Sequence, residues 1–449
     1  MTQDYDIVIA GAGLSGRLTA LSLAHYDFKV ALVDKSPQGG GTKDHRTTAI
    51  AYACVRLLKR LGLWDELGAH ASPIKDILVT NGTPQDRFRK GGLTGGALHF
   101  PSTLLGEDSN GSPQSALGYL LENQRMNEVF EKAVQTHAGI TPLYGSSVET
   151  VEMTPGEVHL RLERIADKCE RLSAKDARQN NNLETLSDSK RTQKALGDEG
   201  LITANLLIAC DGKHSPLRQQ FGFRPLAWGY HQKAIAFNLD HELPHEGVAQ
   251  EIFYPAGPFA ILPLKGNQSS IVWTEHKKSV DAYMTLDEAS FLDAVQARVG
   301  EYLGQLRLAT APVSFPLSFQ YVPTPVADRL VLVGDAAHTI HPIAGQGFNL
   351  GIKDIAALTH VLVESQRAGL DIGHGTVLAK YARWRRFDTT ALALGTDALT
   401  RLFSNDLGPI RMARGLGLGL VQKFDPARKL FMRQAGADLG DLPALMAPL

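Results

Sequence analysis

Residues 330–354 read LVLVGDAAHTIHPIAGQGFNLGIKD, in which a strand, a turn, a pair of histidines and a glycine-rich helix start follow one another without a gap. The apolar run at 330–333 ends in Gly334, the pattern of a buried parallel strand whose carboxyl end opens on a site. Asp335 is the first polar side chain beyond it. Ligands of open α/β sheets bind outside the carboxyl ends of strands, so this carboxylate is placed to accept hydrogen bonds from a ribose or other polyol. Gly345, Gln346 and Gly347 then let backbone N–H groups approach a ligand where a helix dipole favours partial negative charge. The combination predicts a docking place for an electron-rich ring. Taken alone, these glycines are equally ordinary turns, with His338 and His341 surface histidines, and the rest of the chain has to separate the two readings.

At the start of the chain, DIVIA at 6–10 reads as a strand, and GAGLSG then sets Gly11, Gly13 and Gly16 at dinucleotide-binding spacing ahead of a helix at 14–25. A second strand, KVALV at 29–33, is followed by Asp34. The glycines permit a tight turn, close approach of a pyrophosphate to the helix N-terminus and close helix-on-strand packing, while Asp34 sits where an acid accepts from a ribose hydroxyl. A lone GxGxxG says little; strand, glycines, helix, strand and acid in that order say much more.

Arg46 precedes an amphipathic helix with Ile50, Cys54, Leu57, Leu58 and Leu61 at core-facing spacings; it either clamps a pyrophosphate or is a solvated charge. Residues 119–138 read as one helix, with Asn123 and Gln124 in its first turns either reaching a sugar hydroxyl or standing as plain exposed amides. Near Asp211 and Gly212 a second acidic turn ends a strand, and it either serves the same ligand's phosphates or a second nucleotide, or is simply a hydrogen-bonded turn. Residues 234–311 alternate as an antiparallel sheet should, with Phe253, Tyr254, Phe259 and Trp273 offered as an apolar wall or as core. Helices are expected at 287–303, 355–367 and 377–393. Residues 164–200 are polar and charged with almost no apolar clusters, the composition of a flexible insertion.

Composition narrows the classes. Net charge is −1, from 46 basic and 47 acidic residues, so no global field attracts nucleic acid. Cys54, Cys169 and Cys210 are odd in number and scattered, without metal spacing or a disulfide framework, which makes a reducing cytoplasm the expected home and predicts no metal site. The first residues are acidic where a signal peptide is basic, and no window has the length of an uncharged membrane span. Beyond residue 400 the chain mixes Leu, Phe, Met and Val with seven Arg or Lys. Such a tail either lies on an anionic membrane surface, as a peripheral contact, or forms a helical pair that caps the core or a dimer.

GxGxxG, a mid-chain Asp-Gly turn, and GDAAH followed by HPxxGQGxNxGxxD together resemble the class A flavoprotein monooxygenases of the p-hydroxybenzoate hydroxylase fold. HPIAGQGFNLGIKD at 341–354 is more similar still to the ubiquinone-biosynthesis hydroxylases, as are DHRTTAI around Arg46, ENQRM around Asn123, where Met126 replaces the usual Leu, and LFSN at 402–405. The resemblance implies an α/β fold: a Rossmann-like FAD-binding domain (1–75, 119–163, 201–225 and 325–395), an interleaved antiparallel-sheet substrate domain (76–118 and 226–324), the insertion at 164–200, and a C-terminal helical segment at 396–449. It assigns Gly11, Gly13, Gly16 and Asp34 to the ADP half of FAD, with Arg46 near the pyrophosphate and Asn123 or Gln124 near the ribose or ribityl region. Gly334 and Asp335 fall to the ribityl chain. Pro342, Gly345, Gln346, Gly347, Phe348 and Asn349 fall to the isoalloxazine, Pro342, Gln346 and His341 being the residues nearest the chemistry. Asp211 and Gly212 match a turn linked in the family to both FAD and NAD(P)H.

The implied activity is hydroxylation of a polyprenylated phenol by O₂ through a flavin C(4a)-hydroperoxide, with NAD(P)H as donor, closest to a 2-polyprenyl-6-methoxyphenol hydroxylase and acting alone or within a ubiquinone-biosynthesis complex. Hydroxylation of a soluble aromatic, or a non-catalytic FAD-bearing subunit, are the competing expectations.

Overall fold

The computed structural model describes residues 3–40, 44, 46–81, 97–106, 115–165, 200–403 and 421–448. Of the insertion expected at 164–200, residues 166–199 lie outside the described residues, as does the end of LFSN.

Gln3–Ala10 is the middle strand of the first sheet, parallel to Val30–Asp34 on one side and Leu201–Ala209 on the other. Ile140–Tyr144 and Leu330–Leu332 extend the parallel run outward. Ile7, Val8, Ile9, Leu206, Leu207 and Ile208 are all fully buried, because both faces of this sheet are covered. One face packs on the helices Leu14–Ala24 and Gln346–Arg367, the other on a cluster that includes Leu160, Leu162 and Leu217.

A second, mostly antiparallel sheet runs in the order His338–Thr339, Val313–Tyr321, Leu226–His241, Gln268–His276, Gly257–Pro263, Val248–Tyr254, Asp76–Asn81 and Ala97–Pro101. Its residues alternate between two faces. Phe259 and Trp273 point to the face covered by the helix Glu288–Val299, and Tyr254 packs there too, so of the four aromatics expected to wall the ligand only Phe253 does so. The parity of each strand, set by its partners, decides this.

A small sheet of Thr47–Ala51, Gly118–Glu122 and Ser72–Ile74 joins the two. It corrects two expectations. Residues 119–122 are strand, and the helix is Asn123–Thr136; likewise Arg46 precedes the strand Thr47–Ala51, with the helix only at Tyr52–Arg60. In both places pairing between strands distant in sequence overrides a helical local pattern.

The helix expected at 377–393 runs as Gly375–Phe403, and a further helix spans Asp425–Ala435. The segment after it docks on Tyr52–Arg60: Tyr52 donates to Asp438 at 2.7 Å, Arg56 pairs with Asp438 at 2.7 Å, and a Cβ on Gly436 would meet the Tyr52 ring at 2.0 Å. Leu445 and Met446 are buried there, so this end of the chain caps the core. Among the described residues no helix is long and apolar enough to cross a membrane.

Candidate functional site

The carboxyl ends of the parallel strands open on one cavity of about 1330 Å³ that continues along the inner face of the second sheet. Gly11 takes φ +102°, and a Cβ there would lie 2.4 Å from the Cys210 carbonyl oxygen; one on Gly16 would lie 1.8 Å from the Gly11 carbonyl oxygen. Those two are glycine because strand and helix are pressed together. At Gly13 a Cβ would meet no protein atom within 4 Å, and Gly13 lines the cavity. The same holds for Gly212 and Gly347. These three glycines clear room along the cavity wall rather than inside the fold.

The contrast is testable. Gly13→Ala is expected to keep its thermal stability while binding the cofactor about tenfold or more weakly, on the order of 1.4 kcal/mol. Gly16→Ala must shift backbone, costing about 1–3 kcal/mol of stability. Equal melting temperatures and equal flavin content for the two variants would contradict this division.

Two helix N-termini face the cavity, Leu14–Ala24 behind Gly13 and Gln346–Arg367 behind Gly345, and no side chain caps either. Their first N–H groups are therefore offered to whatever occupies the cavity. Gly345 has φ +62°, a left-handed cap. Asn349 spends its amide on the scaffold, accepting from Ala51 N–H at 2.9 Å and donating to Ala49 at 2.9 Å, which fixes this helix start on the strand Thr47–Ala51. Gln346 donates to the Ala435 carbonyl at 3.2 Å, and Phe348 packs partly against the core while lining the cavity, as Pro342 also does.

Asp335 lies open to the cavity on the turn that begins at Gly334, φ +62°. Among the described residues nothing donates to its carboxylate. Burial pushes this carboxyl above the ordinary range, against the pull of His338, Arg46 and Lys213. Opposite stands a connected group: Arg46 grips Asp44 through Nε at 2.8 Å and Nη2 at 2.7 Å, Asn123 donates to Asp44 at 2.9 Å, and Thr48 donates to Asn123 at 2.6 Å. Asp44, two residues before Arg46, was missed in the sequence, where the acid beside the arginine was the available signal. Asp34 already accepts from Ala12 N–H at 2.5 Å and Ser36 N–H at 2.7 Å, so it shapes the glycine turn.

Besides Gly11, Gly16 and Asp34, which shape the glycine turn from behind, three expected site residues do not reach the cavity wall. Gln124 donates along its own helix to Glu128 at 3.0 Å. Asp211 turns back to accept from Leu217 N–H at 3.2 Å at the start of Pro216–Gln220, leaving Gly212 alone on the wall. His341 is fully buried behind the turn, its ring edge-on to Tyr230 at 5.1 Å, and burial pulls it down to about 4, so it is neutral near pH 7. Its Nδ1 accepts from Ile343 N–H at 3.3 Å, which ties the ring to the turn just after Pro342 and leaves it off the cavity wall. His338 is likewise buried, paired to Asp354.

The far part of the cavity is hydrocarbon: Ile77, Val79, Leu98, Phe100, Ala249 and Phe253 from the second sheet. The C-terminal helices add Phe387, Leu399, Leu402, Phe403, Phe431 and Met432, of which Phe387 is 84% exposed at the rim. Uncapped helix starts, glycines at which an added Cβ would meet no protein atom, and the open Asp335 carboxylate fit a long anionic ligand with a hydroxylated linker, which is the make-up of FAD. The adjoining apolar chamber fits a greasy aromatic.

Comparison with known proteins agrees. A family model for the FAD binding domain matches residues 4–386. The chain is 36% identical over 433 residues to ubiquinone hydroxylase UbiL of Rhodospirillum rubrum, covering 96% of this chain and 89% of that one. It is 29% identical to 3-demethoxyubiquinol 3-hydroxylase of Escherichia coli, over 96% of this chain and 98% of that one. Its fold matches the crystal structure of p-nitrophenol 4-monooxygenase from Pseudomonas putida with a TM-score of 0.72 at 17% identity, covering 97% of this chain and 99% of that one. With the glycine turns, the open Asp335 carboxylate and these relatives together, the chain belongs to the FAD binding domain family and is an FAD-dependent oxidoreductase of the hydroxylase type.

Proposed function

We propose that the protein hydroxylates the aromatic ring of a polyprenylated phenol on the route to ubiquinone, taking electrons from NADH or NADPH and one oxygen atom from O₂. The observation that carries this reading is the continuity of the cavity: a glycine-lined polar end and a hydrocarbon chamber share one space, which opens between apolar side chains of the two C-terminal helices. A small soluble phenol has no use for so long an apolar path, and a prenyl tail does. Relatives named as ubiquinone hydroxylases support the same substrate class.

When bound, FAD supplies the redox chemistry and the activation of O₂. The chain's own residues then do five things. Gly13, Gly212 and Gly347 would admit the cofactor close to backbone; Asp335 would accept from its hydroxyls; and Arg46, held by Asp44, would bind its phosphates. Pro342 and Gln346 at the start of Gln346–Arg367 border the ring, where backbone N–H groups favour negative charge. Phe253, Phe403 and their neighbours orient the substrate and exclude water.

The C-terminal face serves a lipid surface in this reading. Phe424, Leu430 and Phe431 are exposed there among the exposed Lys423, Lys429 and Arg433, a pairing of apolar and basic side chains suited to an anionic membrane. A substrate tail can then pass from the bilayer to the chamber rim without crossing water. The two nucleotide-binding and sheet domains at the boundaries given above are the units we assign to cofactor and substrate respectively.

Quinone analysis by mass spectrometry in cells lacking the protein tests the function. Ubiquinone is expected to fall and a prenylphenol one hydroxyl short to accumulate, its fragmentation giving the ring position. An unchanged quinone pool, with no second hydroxylase expressed, would move the assignment to a soluble aromatic.

A further inference from the structure

Glu251 is a carboxyl in a wall of hydrocarbon. It sits on Val248–Tyr254, flanked across the sheet by Val79 on one strand and Ala260 on the other. The same row continues to Leu98 beyond Val79, and to Val272 and Ala236 beyond Ala260. In-register partners share a face of a sheet, and all six of these residues line the cavity. Glu251 is the single polar member of the row. Along its own strand the same face carries Ala249 and Phe253.

The row lies beside the turn assigned to the cofactor ring. Val79, next to Glu251, packs with Phe253, Phe403 and Ile343, and Ile343 follows Pro342. Among the described residues no group donates to Glu251 and no cation pairs with it. The other charged residues lining the cavity are Asp44, Arg46, Asp335 and Asp388, and none perturbs it: burial alone pushes the carboxyl up to about 8. An unpartnered carboxyl in such surroundings destabilises the fold, and packing offers no reason for it.

We propose that Glu251 receives the phenolic hydroxyl of the substrate and takes its proton as the ring is hydroxylated. This rests on the phenol reading given above. The O–H bond breaks toward the carboxylate and its electron pair feeds into the ring. A ring carbon ortho or para to that oxygen forms a C–O bond with an electrophilic hydroxyl group derived from O₂. That carbon then loses its hydrogen as a proton to solvent, aromaticity returns, and the original oxygen recovers its proton from Glu251. Two electrons come from the reduced nicotinamide, and the second oxygen atom leaves as water. Burial suits the carboxyl to this step, because a base near 8 is far closer to a phenol, about 10, than an ordinary glutamate is.

The test uses the full-length, flavin-loaded protein, a short-chain 2-prenylphenol and its methyl ether. Titrated anaerobically against flavin absorbance, the wild type is expected to bind the phenol about tenfold or more tightly than the ether. Glu251→Leu, which only completes the hydrocarbon row, is expected to bring that ratio to within about twofold while the ether still binds. Glu251→Gln is expected to bind the phenol yet lose the rise in turnover that the wild type shows as pH passes through about 8. An unchanged phenol-to-ether ratio in Glu251→Leu together with an unchanged pH profile in Glu251→Gln would overturn the role of Glu251 and leave the phenol reading standing. A wild type that neither binds nor turns over the prenylphenol would overturn both.

Discussion

Asp335→Ala is expected to purify without flavin. The carboxylate lies open to the cavity, nothing in the described protein donates to it, and it is placed for the hydroxylated linker of FAD. Hydrogen bonds to a charged acceptor contribute about 1.5–3 kcal/mol each, so losing a pair weakens binding by roughly a hundredfold or more. The obvious objection is that the variant merely misfolds, and the electrostatics answer it. Burial raises the folded pKa of Asp335 above its unfolded value. A carboxyl shifted in that direction opposes folding above the unfolded pKa, because the folded state holds the charge less well than the unfolded chain does. Without cofactor, then, Asp335→Ala should melt at or above the wild-type apoprotein at pH 7, while flavin stoichiometry falls toward zero. Stoichiometric flavin in the variant would show that the carboxylate faces something else. A lower apoprotein melting temperature would show instead that Asp335 holds the turn together.

What the sequence discloses about this site follows from how local each requirement is. Gly11 must clear the distant Cys210 carbonyl and Gly13 the cavity, but Gly16 answers to the Gly11 carbonyl, Gly334 and Gly345 to the left-handed backbone of their own turns, and Asp335 follows directly from a strand end, so these last can be read in one dimension. Strand parity cannot. Phe253 and Phe259 look equivalent as letters, yet register with the neighbouring strands sends one into the cavity and the other under a helix. Glu251 escaped notice for the same reason, although its alternation with Ala249 and Phe253 is visible once the strand's inner face is known. Gln124 and Asp211 stand next to residues that do line the cavity, and a one-residue difference in direction is settled only by what their amide and carboxyl meet in three dimensions. His341 was conspicuous by type in a dense motif, but it follows a buried strand and goes inward.

The turn bearing Asp335 is held from behind by buried charge, and removing one member should cost more stability than any other change considered. His338, three residues after Asp335, pairs with Asp354 on Gln346–Arg367; Arg385 on Gly375–Phe403 donates to Asp354 at 2.8 Å and to Asp388 at 2.6 Å; and Lys353 pairs with Asp388. Asp354 is 2% exposed and Arg385 7%. Burial pushes Asp354 up, but His338 and Arg385 overcome it, and the carboxyl lies below its ordinary value. Asp354→Ala leaves Arg385 and Lys353 sharing one carboxylate in the interior, an uncompensated charge whose cost is about 3–5 kcal/mol. The double variant Asp354→Leu, Arg385→Met should recover much of that loss, since replacing both partners with apolar groups is often nearly neutral. Chemical denaturation of wild type, Asp354→Leu, Arg385→Met and the double variant gives the coupling directly. The pH dependence has a fixed sign: a carboxyl with a depressed folded pKa contributes stability above its unfolded value, near 4, and loses it as pH falls through the folded one. The gap between wild type and Asp354→Ala should therefore be widest near pH 7 and narrow only below about pH 4. A gap under about 1 kcal/mol at pH 7 would mean that the cluster is wet and exchanges its partners with water, and that the Asp335 turn is held by the packing of Gln346–Arg367 alone.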